Sequence, residues 1–403
     1  MQIDQDPFSF LSSLRADTES EYLINISYQL EDFYERKLWH QLTLALKEFY
    51  ETEASRQEGL REKIYDNFVS QFSRKLNPIQ VVDFLLASYQ EDKEECLKKL
   101  LSLKNTFVDE LKAEYHSRAD NLEEVLDASE HLIYIDLQIS RFQILLGNVK
   151  EADSTLDRLS PRFESTYENT YSAKLNGAYY LTKCQLCKVN EDYNQFYLNG
   201  LLYLSSVDNA KLPMEEQQRL CYDLCISAIL GDRIYNFGEL ILHDILHSLE
   251  NNEYDWLLNL VRTLNSGKLV DFESWLSVAF QRSPFLKKFE PFLREKVTIM
   301  SLLEIVSLRP TTNKQFSFKE ISESTHTPLH KVELLIIKCF SLNLMKGQVN
   351  QLDAMLTVSW LQPRILDLNQ VNVLYNHLCR WNTQLEQLSR DVHQSGGSLW
   401  ASS

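Results

Sequence analysis

Between Thr311 and Arg364 the hydrophobic period changes from helical to alternating and back within about fifty residues, and every segment before it reads as helix after helix. The run Phe316-Ser317-Phe318-Lys319-Glu320-Ile321 predicts the opening of a short amphipathic helix, and Ser324-Thr325-His326-Thr327-Pro328 predicts a turn. Val332, Leu335, Ile336, Cys339 and Leu342 make one face of a second helix. Leu344 to Asn350, broken by Gly347, and Met355 to Trp360 alternate as strands do, with Asn350-Gln351-Leu352-Asp353 as the turn between them. Two helices followed by a two-stranded ribbon make a winged helix.

The rest of the chain has few ways to stop a helix. Its 403 residues include only 10 glycines and 9 prolines, against average usages of roughly 7% and 5%. Long helices and short turns follow. From Glu21 to Tyr50 two helices hinge near Glu35-Arg36-Lys37, with Leu23, Ile26, Leu30 and Phe33 on one face. A helix through Tyr65-Asp66-Asn67-Phe68 is stopped by Asn77-Pro78, because proline has no amide to continue the ladder. Between Val81 and Ser283 apolar helices stop and restart at Gly147, Asn190, Gly231 and Gly267, spacings near the roughly 34 to 47 residues of helical-hairpin repeats. The fold class expected is mostly α: a helical-repeat solenoid of antiparallel hairpins, then the winged helix, then one long C-terminal helix. Such arrays build extended surfaces for other proteins.

That last helix spans Leu368 to His393 without an interior Gly or Pro, and the tail Ser395-Gly396-Gly397-Ser398 reads as a flexible stop ending near Trp400. Val371, Leu374, Leu378, Trp381, Leu385, Leu388 and Val392 alternate three and four residues apart, the a/d seam of a heptad helix. A stripe that narrow must bury against other helices. These seven residues are the first candidate partner-binding set. Val349, Leu356, Val358 and Trp360 on the wing are the second, because an open strand offers backbone groups that a neighbour can complete.

Charge sets limits on partners. A formal net charge of −16 opposes general binding to nucleic acid or to an anionic membrane surface. The second helix of the winged pair carries Lys331 and Lys338 but also Glu333, and its other turns are apolar, which suits a protein and not DNA. No run approaches the roughly 18 apolar residues of a membrane span. Seven scattered cysteines and an N-terminus without a basic-then-apolar leader point to a reduced compartment, the cytoplasm or nucleus.

Two patterns hint at metal chemistry. His243 and His247 stand four apart, as in a helical zinc site, but Asp244 occupies the position where the metalloprotease motif has Glu. His326 and His330 repeat the spacing across Pro328 and read as a turn and a helix-face residue. Cys184, Cys187, Cys221 and Cys225 lie within apolar helical stretches, where cysteine packs as a small hydrophobe, whereas thiolate knuckles sit in turns. The sequence has no phosphate-binding G-x-x-x-x-G-K-[ST] loop, no G-x-G-x-x-G and no G-x-S-x-G. No catalytic residue, cofactor or metal is expected.

The segments Phe318-Lys319-Glu320-Ile321, Val332-Glu333-Leu334-Leu335, Leu344-Met345-Lys346-Gly347 and Leu356 to Arg364 resemble the winged helix of the PCI family, shared by the proteasome lid, the signalosome and a translation initiation factor. Phe33 to Leu42, Tyr65 to Phe72, Tyr193 to Ser205 and Leu220 to Leu240 are similar to a proteasome lid branch of that family. The resemblance covers nearly the whole chain and is weakest over 1–20 and 105–125. It implies a non-catalytic scaffold subunit of the regulatory-particle lid, whose partners are other PCI and MPN-domain lid subunits and an adjacent ubiquitin receptor. It also implies winged helices packed side by side and terminal helices joined in a common bundle. The His-x-His of the lid's metal-dependent deubiquitinase is missing from this sequence. The alternatives are a PCI scaffold of the signalosome or of the initiation factor and, from another class, a zinc-dependent hydrolase. The expected organisation is an N-terminal helical-repeat region over 1–175, a PCI domain over 176–364 (helical part 176–308, winged helix 309–364), and an assembly helix with tail over 365–403.

Overall fold

With breakers scarce, helix ends in this protein are set by caps and left-handed turn residues. The computed structural model describes residues 7–17, 21–56, 59–90, 92–115, 129–164, 171–207, 212–250, 252–309, 314–364 and 368–394. The tail from Ser395 lies outside them. The chain divides into two compact units, Met1–Asp208 and Asn209–Ser403.

The first unit is helical among the described residues: α1 (Pro7–Asp17), α2 (Glu21–Glu35), α3 (Trp39–Glu51), α4 (Leu60–Ile64), α5 (Pro78–Ser88), α6 (Lys93–Tyr115), α7 (Glu130–Leu146), α8 (Val149–Glu164), α9 (Ala173–Val189) and α10 (Tyr193–Ser206). Helices α2/α3, α7/α8 and α9/α10 are antiparallel hairpins. Their turns each use one left-handed residue: Lys37 (φ 57°), Gly147 (φ 91°) and Glu191 (φ 57°). Asn190 therefore caps α9 while the next residue makes the reversal. Beyond α4 the chain passes through a π turn (Tyr65–Val69) and a 3-10 turn (Ser73–Lys75), so the single helix expected there is interrupted. Asn77 then starts α5, its Oδ1 accepting from the Ile79 amide at 3.0 Å with Pro78 in the first turn.

Leu23, Ile26 and Leu30 of α2, Leu42, Leu46 and Phe49 of α3, and Val81, Val82 and Leu85 of α5 share one continuous core that runs on to Ile135, Leu156 and Tyr179. Each such side chain contributes about 1.5–3 kcal/mol when fully buried. Helix α9 packs on α7 as well as α10. The unit boundary at 208/209 thus lies downstream of the 175/176 boundary expected from sequence.

The second unit opens with α11 (Met214–Leu230). Gly231 does not reverse the chain into a hairpin as expected: its backbone is extended (φ −62°, ψ 128°), and an irregular run burying Tyr235 and Phe237 leads to α12 (Gly238–Leu242) and a 3-10 turn, Asp244–Leu249. A true hairpin follows, α13 (Asp255–Ser266) and α14 (Leu269–Arg282), turning at Gly267 (φ 63°). A Cβ at Gly267 would lie 2.8 Å from the backbone of Ser301 in α15 (Glu290–Leu308), so the turn demands glycine for its conformation and for its closeness to that helix.

Lys296 of α15 is 1% exposed. Its ammonium donates to the carbonyls of Ala228 (2.8 Å), Ile229 (3.0 Å) and Gly231 (2.6 Å) at the end of α11, beside the rings of Tyr235, Phe237 and Phe292. A helix leaves its last carbonyls without intrahelical donors, and here one buried lysine supplies them.

The winged helix is β1 (Gln315–Ser317), α16 (Phe318–Thr325), α17 (Leu329–Ser341), β2 (Met345–Asn350) and β3 (Met355–Leu361), with α18 (Leu368–Gln394) after it. The sheet has three strands, not the two expected, in the order β1-β3-β2 with both pairings antiparallel. Phe316 and Ser317, assigned to a helix from sequence, instead join Gln315 in the third strand because Phe316 fills the core from an extended backbone. Ser317 then caps α16, its Oγ accepting from the Glu320 amide at 3.2 Å. At β2 the register shifts between Lys346 and Gly347, where a Cβ would stand 2.2 Å from the Thr357 carbonyl oxygen; the bulge admits only glycine.

Candidate functional site

Helix α17 seats Val332, Leu335, Ile336 and Cys339 in the core and turns Leu334 and Ile337 outward. Its lysines are not both free for phosphates: Lys338 is ion-paired with Glu295 of α15. Glu333 accepts from the Gln351 side chain, tying the wing turn to the helix, and Leu352 at the tip of that turn is 98% exposed. The outer surface is an apolar face with a projecting leucine. Protein contact suits it, as charge and composition imply.

The wing residues separate into two groups. Leu356 and Val358 lie in β3, which is the central strand and not an edge: Leu356 pairs with Phe316 on one side and Val349 on the other, and both side chains are buried. The Val358 amide donates to the Lys314 carbonyl at 2.9 Å, so it is already used. Sequence alternation shows a strand but not its rank in the sheet, and the third strand that covers β3 is only three residues long. Val349 stands on β2, whose outer edge pairs with no strand among the described residues. Trp360 is partly exposed at the far end of β3, with the Lys346 ammonium 5.2 Å above its ring. The edge expected of the wing is therefore β2.

Arg364, which sequence reasoning passed over, locks the exit of β3. Its guanidinium donates to Glu304 Oε2 (3.2 Å) and to the Asn265 carbonyl (2.9 Å), joining the wing to α15 and to the end of α13. Burial pushes its pKa down against the pull of Glu304.

Helix α18 has the length the spacing predicts. Val371, Leu374, Leu378, Trp381, Leu385, Leu388 and Val392 are all exposed, between 45% and 60%, so this apolar seam is not covered by the chain's own described residues.

The histidine and cysteine patterns resolve differently from one another. The chain breaks at His243, between α12 and the 3-10 turn, so His243 and His247 do not share the helix a zinc site needs. The His243 Nδ1 accepts from the Ile245 amide at 3.2 Å, and burial holds this ring below the usual histidine range. His247 faces Glu250 at 3.2 Å. His326 takes a left-handed conformation (φ 50°) closing α16, and His330 is exposed in the first turn of α17. Cys184, Cys221 and Cys225 are buried in α9 and α11, with Cys187 half-buried. Burial raises the Cys187 thiol to about 11, and the bond with Cys221 together with burial raises the Cys225 thiol well above its usual range, which suits packing and not thiolate chemistry. Among the described residues no three His, Cys, Asp or Glu side chains converge as a metal site.

The family described as PSD13 N-terminal repeats matches residues 26–261, and the PCI domain family matches 272–360. The 26S proteasome regulatory subunit RPN9 of Saccharomyces cerevisiae is 36% identical over 97% of this chain and 98% of its own length. This chain belongs to the PSD13 family. Other relatives are the 26S proteasome non-ATPase regulatory subunit 13 homolog B of Arabidopsis thaliana (31% identical, 87% of this chain and 89% of the relative) and the probable 26S proteasome regulatory subunit rpn9 of Schizosaccharomyces pombe (32% identical, 92% of each). The PSD13 match ends within α13, and the PCI match runs from α14 to Trp360 in β3. Helix α18 lies beyond both.

Proposed function

We propose that this PSD13-family chain is a non-catalytic scaffold subunit of the lid of the 26S proteasome regulatory particle, supporting lid assembly and so ubiquitin-dependent protein degradation. The observation that carries the reading is similarity to 26S proteasome regulatory subunits across nearly the whole chain. The exposed seam of α18 and the outer edge of β2 are what a scaffold would offer its neighbours. In this reading α18 enters a bundle with helices of other PCI and MPN-domain subunits, the wing lies against a neighbouring winged helix, and a ubiquitin receptor subunit is adjacent. In this reading the protein works in cytoplasm and nucleus, in keeping with its likeness to proteasome regulatory subunits.

Affinity purification of the tagged full chain from cells, in buffer that preserves the 26S particle, tests the proposal. Recovery of lid subunits together with the proteolytic core is the expected result. Recovery of signalosome or initiation-factor subunits in their place would contradict it, and stoichiometric zinc in the pure protein would reopen the hydrolase reading.

A further inference from the structure

On the first unit, the outer face of α3 and the start of α5 enclose a groove of about 420 Å³. Trp39 forms part of its wall, with the indole packed against Tyr34 and Phe72 (centroids 6.0 Å apart in each case), so the ring is fixed in place. Leu44, one turn further along α3, lines the same groove and is 54% exposed. Large apolar side chains left this open beside a concave surface are a binding feature and not a core one.

The charges around the groove run against the rest of the molecule. The chain carries 57 acidic and 41 basic residues, yet among the described residues the groove is lined by Lys47 and Lys75, together with His40, and by no Asp or Glu. Lys75 holds its ammonium 4.8 Å from the Trp39 centroid and makes no ion pair with a carboxylate among the described residues. Among the described residues Lys47 has only the loose Glu51 contact at 3.7 Å, on its own helix. The opposite wall is polar without charge: Gln80 and Asn77, the latter using its Oδ1 to cap α5 and leaving its amide NH₂ for another acceptor.

We propose that this groove docks an acidic peptide segment of a partner protein, one that carries an aliphatic or aromatic residue between Asp or Glu side chains. The apolar residue lies on Trp39 and Leu44, the carboxylates meet Lys47 and Lys75, and Asn77 and Gln80 bond to the peptide backbone. A nucleic acid is the weaker match, because two or three basic groups in a chain of net charge −16 give little of the phosphate neutralisation that such binding needs. The inference stands apart from the assembly surfaces of the second unit.

The test is selection of a random displayed-peptide library on the immobilised full chain, followed by fluorescence anisotropy with the enriched peptides. The expected enrichment is for peptides combining acidic and apolar residues. Their affinity should fall about tenfold or more in Lys47→Glu/Lys75→Glu, and also in Leu44→Asp. All three positions are solvent-exposed, and circular dichroism checks that the variants stay folded. Three results would overturn the proposal: no peptide enriched, enriched peptides that bind the charge-reversed variant equally well, or equal competition by polyphosphate or a single-stranded oligonucleotide, which would make the groove a general anion site.

Discussion

Replacing Lys296 with Met keeps the volume of the side chain and deletes its ammonium, which isolates the cap on α11. Three carbonyls, those of Ala228, Ile229 and Gly231, then lose their donor in a buried site. Each unsatisfied group costs about 1–3 kcal/mol, while the variant no longer has to desolvate a charge, a penalty of several kcal/mol for an ion. Near pH 10, where the folded lysine is neutral, the expectation is a loss of about 1–3 kcal/mol for each carbonyl left without a donor, and the loss shrinks at lower pH as keeping the site uncharged costs more. Proton linkage adds a signature. Burial pulls the Lys296 pKa from 10.5 down to about 7, opposed by Asp232. Between those values the unfolded chain binds the proton and the folded chain does not, so this group's contribution to stability rises with pH, by at most ~1.4 kcal/mol per pH unit. Buried cysteines act the other way: Cys187 at about 11 and Cys339 at about 12 keep protons that the unfolded chain gives up. The quantity to measure is therefore the wild-type minus Lys296→Met difference in unfolding free energy, from denaturant titrations across pH 7 to 10. It should grow with pH and be positive at pH 10, and hydrogen exchange there should accelerate in peptides from 221–240. A variant as stable as wild type at pH 10 would refute the capping role; a pH-independent difference would refute the depressed pKa.

Gly347→Ala should destabilise the winged helix by about 1–3 kcal/mol, because its Cβ meets the Thr357 carbonyl oxygen; the melting temperature of the full chain reads this. Val349→Pro, on the outer strand β2, should weaken assembly more than Val349→Ala while circular dichroism stays native, and equal assembly of the two would exclude edge pairing. Val358→Pro should instead unfold the sheet, since that amide is bonded internally. Cys221→Ala and Cys225→Val should each shift stability by about 0.5–3 kcal/mol without loss of function, read by denaturation and by complementation.

Long helices were legible because periodicity and the absence of breakers act locally: α18 and the α2/α3 hinge could be read directly from spacing. What escaped depends on contacts distant in sequence. The three residues of β1 hold one buried side chain, Phe316, too little for an alternating pattern, though the Ser317-x-x-Glu320 capping spacing marks Phe318 as the helix start. Missing β1 made β3 look like an edge. The HDILH spacing matched a helical metal site, but irregular backbone around His243 overrode it. Lys296 reads as a surface lysine by type, yet it falls on the buried face with Leu293, Val297 and Met300, which is the signal that could have found it.

The assembly surface proposed for the scaffold role is the uncovered seam of α18. Trp381 and Leu385 stand at its centre and are 60% and 46% exposed, so replacing both with Asp removes little from the isolated fold, whereas large central side chains dominate an interface. The decisive measurement is incorporation of the tagged Trp381→Asp/Leu385→Asp chain into 26S particles, quantified by mass spectrometry beside wild type and a Thr383→Asp/Gln387→Asp control on the opposite face of the helix. The account predicts unchanged melting for all three chains, normal incorporation of wild type and control, and none of the seam variant. Incorporation of the seam variant at the wild-type level would contradict it.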